Sequence, residues 1–289
     1  MNRAKTLVAG ATGMTGSYTV QLLLKRGHTV RAIAHNEDER SVRLKELGAE
    51  VVIGDLLNLN DVRSALSGIQ GAYFVYPLSP TLVQATTIFA QAAKEAEVEI
   101  VANMSQWCSR PSAKSPATIN HWLSEQVFDW SPVPVAHLRA TFFFEWLLWV
   151  ARSIRQGVMM MPWDANSRFS PVATEDLAQV IVAILENPIT HSGKTYSLCG
   201  PAVHSFAEVA KIASRVLGTQ ITYQQASVDT FAESIGQTGN ALFKEHCRAV
   251  AVELQEGIFA ETNSVAAQIS GRPPMTIEEF VARNRDAFL

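Results

Sequence analysis

The chain has 289 residues, of which 47% are hydrophobic and 18% charged, enough to bury a sizeable core and to exclude global disorder. A formal charge of −3 offers no basic surface for capturing nucleic acid or an anionic membrane, so neither is expected as a direct partner. Cys108, Cys199 and Cys247 are odd in number, widely spaced and form no CxxC, which argues against a disulfide framework and against a metal site.

The chain enters a strand-like segment, Lys5 to Ala9, without the charged-then-apolar layout of a signal peptide, so a cytoplasmic location is expected. Helical periodicity follows over Ser17–Arg26, then a strand at Val30–Ala34, a helix at Arg40–Leu47 and a strand at Val51–Ile53. Asp61 is expected to cap a helix reaching Leu66. A fourth strand is expected at Ala72–Tyr76, a long helix at Leu82–Ala96 and a fifth strand at Ile100–Asn103. Alternating strands and helices of this kind specify an α/β protein with a Rossmann-type, doubly wound parallel sheet.

Beyond residue 104 the pattern is mixed. A helix is expected at Thr118–Trp130 and a strand at Val133–Leu138. The apolar stretch Thr141–Ala151 is too short to span a bilayer, which takes about 20 residues, and reads as a buried or pocket-lining helix. Its Glu145 is read as facing either the substrate or solvent, with solvent the leading expectation. Later expectations are helices at Glu175–Leu185, Ser205–Leu217 (capped by Ser205, with Glu208 three residues on) and Ile277–Ala287, and strands at Thr195–Leu198 and Ile221–Gln224. The expected division is a dinucleotide-binding domain over 1–155, with a returning segment near 168–200, and a smaller C-terminal α/β lobe over 156–289.

Gly10-Ala-Thr12-Gly13-Met14-Thr15-Gly16 lies between the first strand and the first helix. In such a loop the first glycine permits a sharp turn. The second lets the backbone approach a pyrophosphate, and the third lets the helix pack closely on the sheet. The helix N-terminus then offers amide groups and a positive partial charge to the phosphates. No Lys-Ser/Thr follows, so a Walker-type site is disfavoured.

The second strand ends in Ala34-His35-Asn36, with no carboxylate before Glu37. An acid at this place binds the ribose hydroxyls of NAD and repels a 2′-phosphate. Its absence, with Arg31 in the strand and Arg40 and Arg43 just beyond, favours NADP(H) over NAD(H).

The GxxGxxG spacing resembles the extended and atypical short-chain dehydrogenase/reductases. Val30-Arg-Ala-Ile-Ala34, Gly54-Asp55-Leu56, Ala140-Thr-Phe-Phe143 after Leu138-Arg139, and Val172-Ala-Thr-Glu-Asp176-Leu-Ala178 resemble blocks of the NmrA-like branch as far as about residue 225. That branch includes NAD(P)H-dependent quinone reductases, triphenylmethane-dye reductases and redox-sensing transcriptional co-regulators. The resemblance implies that Asp55 and Leu56 flank an adenine and that Tyr76-Pro77-Leu78 pass over ribose and phosphates. Asp55 is equally readable as a turn or cap residue.

Short-chain reductases use Tyr-x-x-x-Lys to protonate the substrate oxygen. No tyrosine here is followed by lysine at that spacing, and Ala117 stands at the tyrosine position. His121 and Glu125 match the spacing of a Lys/His and a Glu in NmrA-like relatives. His121 is read either as a contact to the nicotinamide ribose or a proton relay, or as a surface histidine. Ser105 is read either as a substrate-polarising serine or as a loop hydroxyl. His204, His246 and Cys247 show no convergent partners.

Hydride transfer to a conjugated electrophile can dispense with a protein proton donor, leaving the protein to stack and orient a flat molecule. Trp107, Phe142, Phe143 and Trp146 are the expected pocket residues. The leading expectation is an NAD(P)H-dependent reductase of a small conjugated substrate such as a quinone. The alternative is a non-catalytic NADP(H) sensor acting through a protein partner. A homodimer is left open.

Overall fold

A computed structural model describes residues 5–289. In chain order its first elements are β1 (Lys5–Val8), α1 (Met14–Lys25), β2 (Thr29–Ala34), α2 (Glu39–Glu46), β3 (Glu50–Ile53), α3 (Leu59–Leu66), β4 (Gly71–Phe74) and α4 (Leu82–Glu95). There follow β5 (Ile100–Gln106), α5 (Pro116–Trp130), β6 (Val135–Ala140), α6 (Trp146–Trp149), α7 (Ala151–Ile154), β7 (Val158–Met161), β8 (Arg168–Phe169) and α8 (Thr174–Glu186). The last are α9 (Pro188–His191), β9 (Lys194–Leu198), β10 (His204–Ser205), α10 (Phe206–Leu217), β11 (Thr222–Gln225), α11 (Val228–Ser234), α12 (Ala241–Gln255), α13 (Val265–Ser270), α14 (Ile277–Arg283) and α15 (Arg285–Phe288).

The chain divides into two compact units. Of the described residues, the first comprises those up to 111 with 119–139 and 174–197, and the second 112–118, 140–173 and 198–289.

The first unit is built on a seven-stranded parallel sheet in the order β3-β2-β1-β4-β5-β6-β9. Leu7, Val8, Ala72, Tyr73, Phe74, Val101 and Ala102 are buried, as required of strands covered on both faces. Phe74 on β4, Phe89 on α4 and Phe128 on α5 pack together with centroid separations of 4.7 to 6.5 Å, and fix those helices to the sheet. Helix α1 lies against α8, whose Val180, Ile181 and Ile184 are fully buried. Because β1 has β2 on one side and β4 on the other, the strand order reverses there. In open α/β sheets this is where a crevice opens beyond the carboxyl ends of the strands.

Local starts follow side-chain capping. Asp38 accepts from the Arg40 and Ser41 amides at the start of α2, and Ser205 and Glu208 form the expected reciprocal cap of α10. Helix α3 is capped by Asn58, one turn earlier than expected. Asp61 instead accepts from the Asp55 amide at 3.0 Å.

The second unit pairs β7 with β11 in parallel and β8 with β10 antiparallel. The stretch 141–151 is not one helix. Val172 exchanges backbone hydrogen bonds with Phe142 and Phe144, which holds Phe143 extended and delays the helix until Trp146, and the helix breaks again at Val150. Glu145, expected in solvent, is buried. Among the described residues no helix is long and apolar enough to cross a membrane.

Candidate functional site

The glycine loop joins β1 to α1 at the reversal of strand order. Gly10 has φ +63°, and a Cβ there would stand 2.5 Å from Val75 Cγ1. At Gly16 a Cβ would stand 2.2 Å from the Gly10 carbonyl oxygen, so α1 starts directly on the turn. Gly13 is different. It is exposed at the apex, and its Cβ would meet only the Gly10 carbonyl, at 3.2 Å.

Gly13 is also the N-cap of α1 and no side chain caps the helix. The first amides of a helix have no intrahelical acceptor, so those of Met14, Thr15 and Gly16 are presented at a bare, positively polarised terminus. This arrangement fits a diphosphate. The Thr15 hydroxyl, by contrast, is bound to Tyr73 Oη at 2.7 Å, and it ties α1 to β4.

The other expected cofactor residues of this unit gather at the carboxyl ends of its strands. His35 and Asn36 are exposed just after β2, Asp55 and Leu56 follow β3, and Tyr76, Pro77 and Leu78 follow β4. Asp55 Oδ1 accepts from the Leu57 amide at 2.8 Å, which shapes the turn, while Leu56 leans on the core and Tyr76 Oη contacts Thr81 Oγ1 at 3.2 Å.

Arg31 is corrected. Its side chain turns into the unit, donating to Glu50 at 2.9 Å and to the Ala65 and Ser67 carbonyls at 2.7 and 2.9 Å. It closes the end of α3 and has no donor directed to a ribose phosphate. Of the nearby acids, Glu37 is paired with Lys45, and Asp38 with Arg40 and the α2 amides.

Ser105, near the end of β5, donates to Glu125 Oε1 at 2.6 Å. Glu125 lies 1% exposed on α5 and receives two hydrogen bonds from Arg139, at 2.9 Å from Nε and 2.5 Å from Nη2. In this structure the hydroxyl proton of Ser105 is therefore directed to Glu125. His121 is buried one helical turn before Glu125, not displayed on the helix surface. The sequence spacing singles out Glu125, whereas its partner Arg139 lies on β6, 14 residues further on.

In the second unit Phe142 is a core residue. It packs edge-on against Trp146, Trp163 and Phe259 at 4.9 to 5.2 Å. Phe143 and Trp146 are partly exposed there, and Trp107 is partly exposed in the first unit. His246, expected to lack a partner, has Nδ1 at 2.9 Å from Ser115 Oγ. Burial lowers its pKa to about 4. Among the described residues no group of three or more His, Cys, Asp or Glu is assembled for a metal.

The sequence pattern of the NmrA-like family matches residues 2–281. The chain belongs to the NmrA-like family. It is 28% identical over 287 residues to an NAD(P)H azoreductase of Xenophilus azovorans, covering 98% of each chain. It has the fold of an NADPH-dependent quinone oxidoreductase of Escherichia coli solved with NADPH, with a TM-score of 0.82, 22% identity and coverage of 96% and 99%. The fold is likewise that of NmrA, a negative transcriptional regulator solved with NADP, with a TM-score of 0.81, 17% identity and coverage of 98% and 95%.

Proposed function

We propose that this NmrA-like chain is an NAD(P)H-dependent reductase that passes a hydride to a quinone-like or otherwise conjugated small molecule. The observation that carries the reading is the bare start of α1, where Gly13 leaves amides uncapped behind a turn in which Gly10 takes a φ that side chains rarely adopt. Similarity along nearly the whole chain to an NAD(P)H azoreductase supports the choice of reaction class.

A bound nicotinamide cofactor would supply the hydride. The chain's part is to hold and orient. The Gly10–Gly16 loop would bind the diphosphate, Asp55 and Leu56 would flank the adenine, and Tyr76–Leu78 would cover the ribose and phosphates. Ser105 and His121 would line the reducing end, with Glu125 and Arg139 fixing Ser105. A conjugated acceptor spreads the incoming charge over its own π-system, so solvent can complete protonation and orientation is the main catalytic contribution.

NADP(H) is favoured over NAD(H). With Arg31 held by Glu50 and by carbonyls at the end of α3, the support is the carboxylate-free pair His35-Asn36 and the engagement of Glu37 and Asp38 elsewhere. His35→Asp should shift the NADPH-to-NADH ratio of kcat/KM towards NADH by about tenfold or more, since a carboxylate there repels a 2′-phosphate. An unchanged ratio would remove the preference from this strand end.

The test of the reaction is turnover with NADPH and a panel of quinones and azo dyes. Oxidation of NADPH matched by loss of one of these acceptors is expected. Failure with every acceptor would sink the reductase reading. A second reading, an NADP(H) sensor acting through a protein partner, is favoured by the inward-directed proton of Ser105. It requires different affinities for NADPH and NADP, because a ligand shifts an equilibrium only through differential affinity.

A further inference from the structure

Strand β4 carries a single side-chain hydroxyl, that of Tyr73, and it is fully buried between Ala72 and Phe74. A phenylalanine would fill the same space, and a hydroxyl in an apolar interior costs free energy unless it is hydrogen-bonded. Its partner is Thr15, in the first turn of α1, with Oη and Oγ1 2.7 Å apart. Burial pushes the Tyr73 phenol well above its ordinary pKa, so the pair consists of two neutral hydroxyls. Thr15 is itself buried, and its carbonyl accepts from Thr19 Oγ1 at 2.8 Å.

The same tyrosine holds the chain on the other side of the glycine turn. Its carbonyl accepts from the Ala9 amide at 2.9 Å, immediately before Gly10. Residues 10–14 therefore run between two points fixed on one residue of β4. Within that span the Gly13 amide donates to the Gly10 carbonyl at 2.9 Å, and Val75 leaves no room for a Cβ at Gly10. Tyr73, Thr15 and the glycine loop all belong to the first unit.

The first amides of a helix have no intrahelical acceptors, and helix ends fray. Gly13 supplies no side-chain cap to α1, so the Thr15–Tyr73 bond is what ties that turn sideways to the sheet. A turn held in place before the ligand arrives need not be ordered on binding, which lowers the cost of association.

We infer that Tyr73 is a positioning residue for the dinucleotide diphosphate. It clasps Ala9 through its carbonyl and Thr15 through its hydroxyl, and so keeps the amides of Met14, Thr15 and Gly16 aimed at the phosphates. The inference rests on the proposed reading of this loop as the diphosphate site. Tyr73 stands behind the loop and acts through it.

The test is calorimetric titration of NADPH into the full-length wild type, Tyr73→Phe, Thr15→Val and the double variant, with thermal melting of each. All three variants should show Kd raised about tenfold, the scale of one lost hydrogen bond, with binding still one-to-one. A protein that is merely less stable would instead lose competent sites at unchanged Kd. Each single variant leaves one buried hydroxyl without its partner, whereas the double variant removes both and should melt nearer to the wild type. Its affinity should remain as weak as that of the single variants, because all three lack the same bond. Thr15→Ser keeps the hydroxyl and should bind within about twofold of the wild type.

A double variant that binds NADPH as tightly as the wild type overturns the inference and leaves the diphosphate reading standing, since the bond would then serve stability alone. Thr15→Ser binding as weakly as Thr15→Val overturns it too, because the hydroxyl would not be the group that matters. A wild type that binds no NADPH overturns the diphosphate reading, and this inference with it.

Discussion

A single methyl group probes the loop at Gly16, where it would collide with the Gly10 carbonyl oxygen. Gly16→Ala should therefore cost about 1–3 kcal/mol of stability in urea denaturation, as overpacking does at tight contacts. Stability within experimental error of wild type would mean that α1 does not start on the turn. Arg31 gives an independent prediction. Removing its guanidinium leaves the Ala65 and Ser67 carbonyls and Glu50 short of donors, so Arg31→Ala should lose about 2–3 kcal/mol while the NADPH-to-NADH preference stays as it was. A changed preference with unchanged stability would return Arg31 to the cofactor. The two residues differ in how far the sequence discloses them. The glycines are legible because turn, spacing and helix start lie within seven consecutive residues. The carbonyl partners of Arg31 lie 33 to 36 residues away and present no side-chain signal.

Helix α5 shows the same limit in an element. Its length and the one-turn spacing of His121 and Glu125 are written in the sequence, but the function of Glu125 depends on β5 and β6 arriving on either side of it. Glu125→Gln replaces a buried carboxylate that receives three hydrogen bonds, and it leaves Arg139 without its counter-charge. A loss of about 2–4 kcal/mol is expected, against about 1 kcal/mol for Ser105→Ala, which removes one neutral donor. Equal losses for the two variants would show that the Arg139 pair contributes nothing beyond the serine. Helix α12 was not legible at all. Its buried stripe includes Glu253 and Cys247 beside Val250 and Leu254, so an apolar period is interrupted by a carboxylate, and the hydrogen bond from Trp163 to the Cys247 carbonyl crosses 84 residues. Strands β8 and β10, of two residues each, are too short to carry an alternation.

Across the molecule, acid stability is set first by histidines. Burial lowers the pKa of His246 to about 4 and also lowers those of His191 and His204. For each, the unfolded chain binds a proton more readily than the folded one. Their stabilising contribution is therefore present above the ordinary histidine value of 6.5 and is lost as pH falls from there towards 4. Surface acids such as Glu50 and Asp38, whose pKa values are lowered by Lys5 and Arg31 and by Arg40 respectively, lose their contributions only below the ordinary carboxylate range. Melting temperature should fall across the histidine window, and His246→Gln should flatten part of that fall. An identical pH profile would contradict the burial of this imidazole. The parallel sheet itself was readable because each βα unit is local and strand order follows from connection rules. The second unit was less so, since its aromatic rings find one another across the chain.

If the bare start of α1 receives a dinucleotide diphosphate, calorimetric titration of NADPH will separate the wild type from Gly13→Asp. Gly13 is exposed, so the substitution should leave the fold intact while placing a carboxylate where the phosphates would lie. Diphosphate binding at this terminus gives saturable one-to-one binding by the wild type and a loss of affinity of about a hundredfold or more in the variant. Equal affinity in the two proteins, or heat of binding in neither, would contradict it.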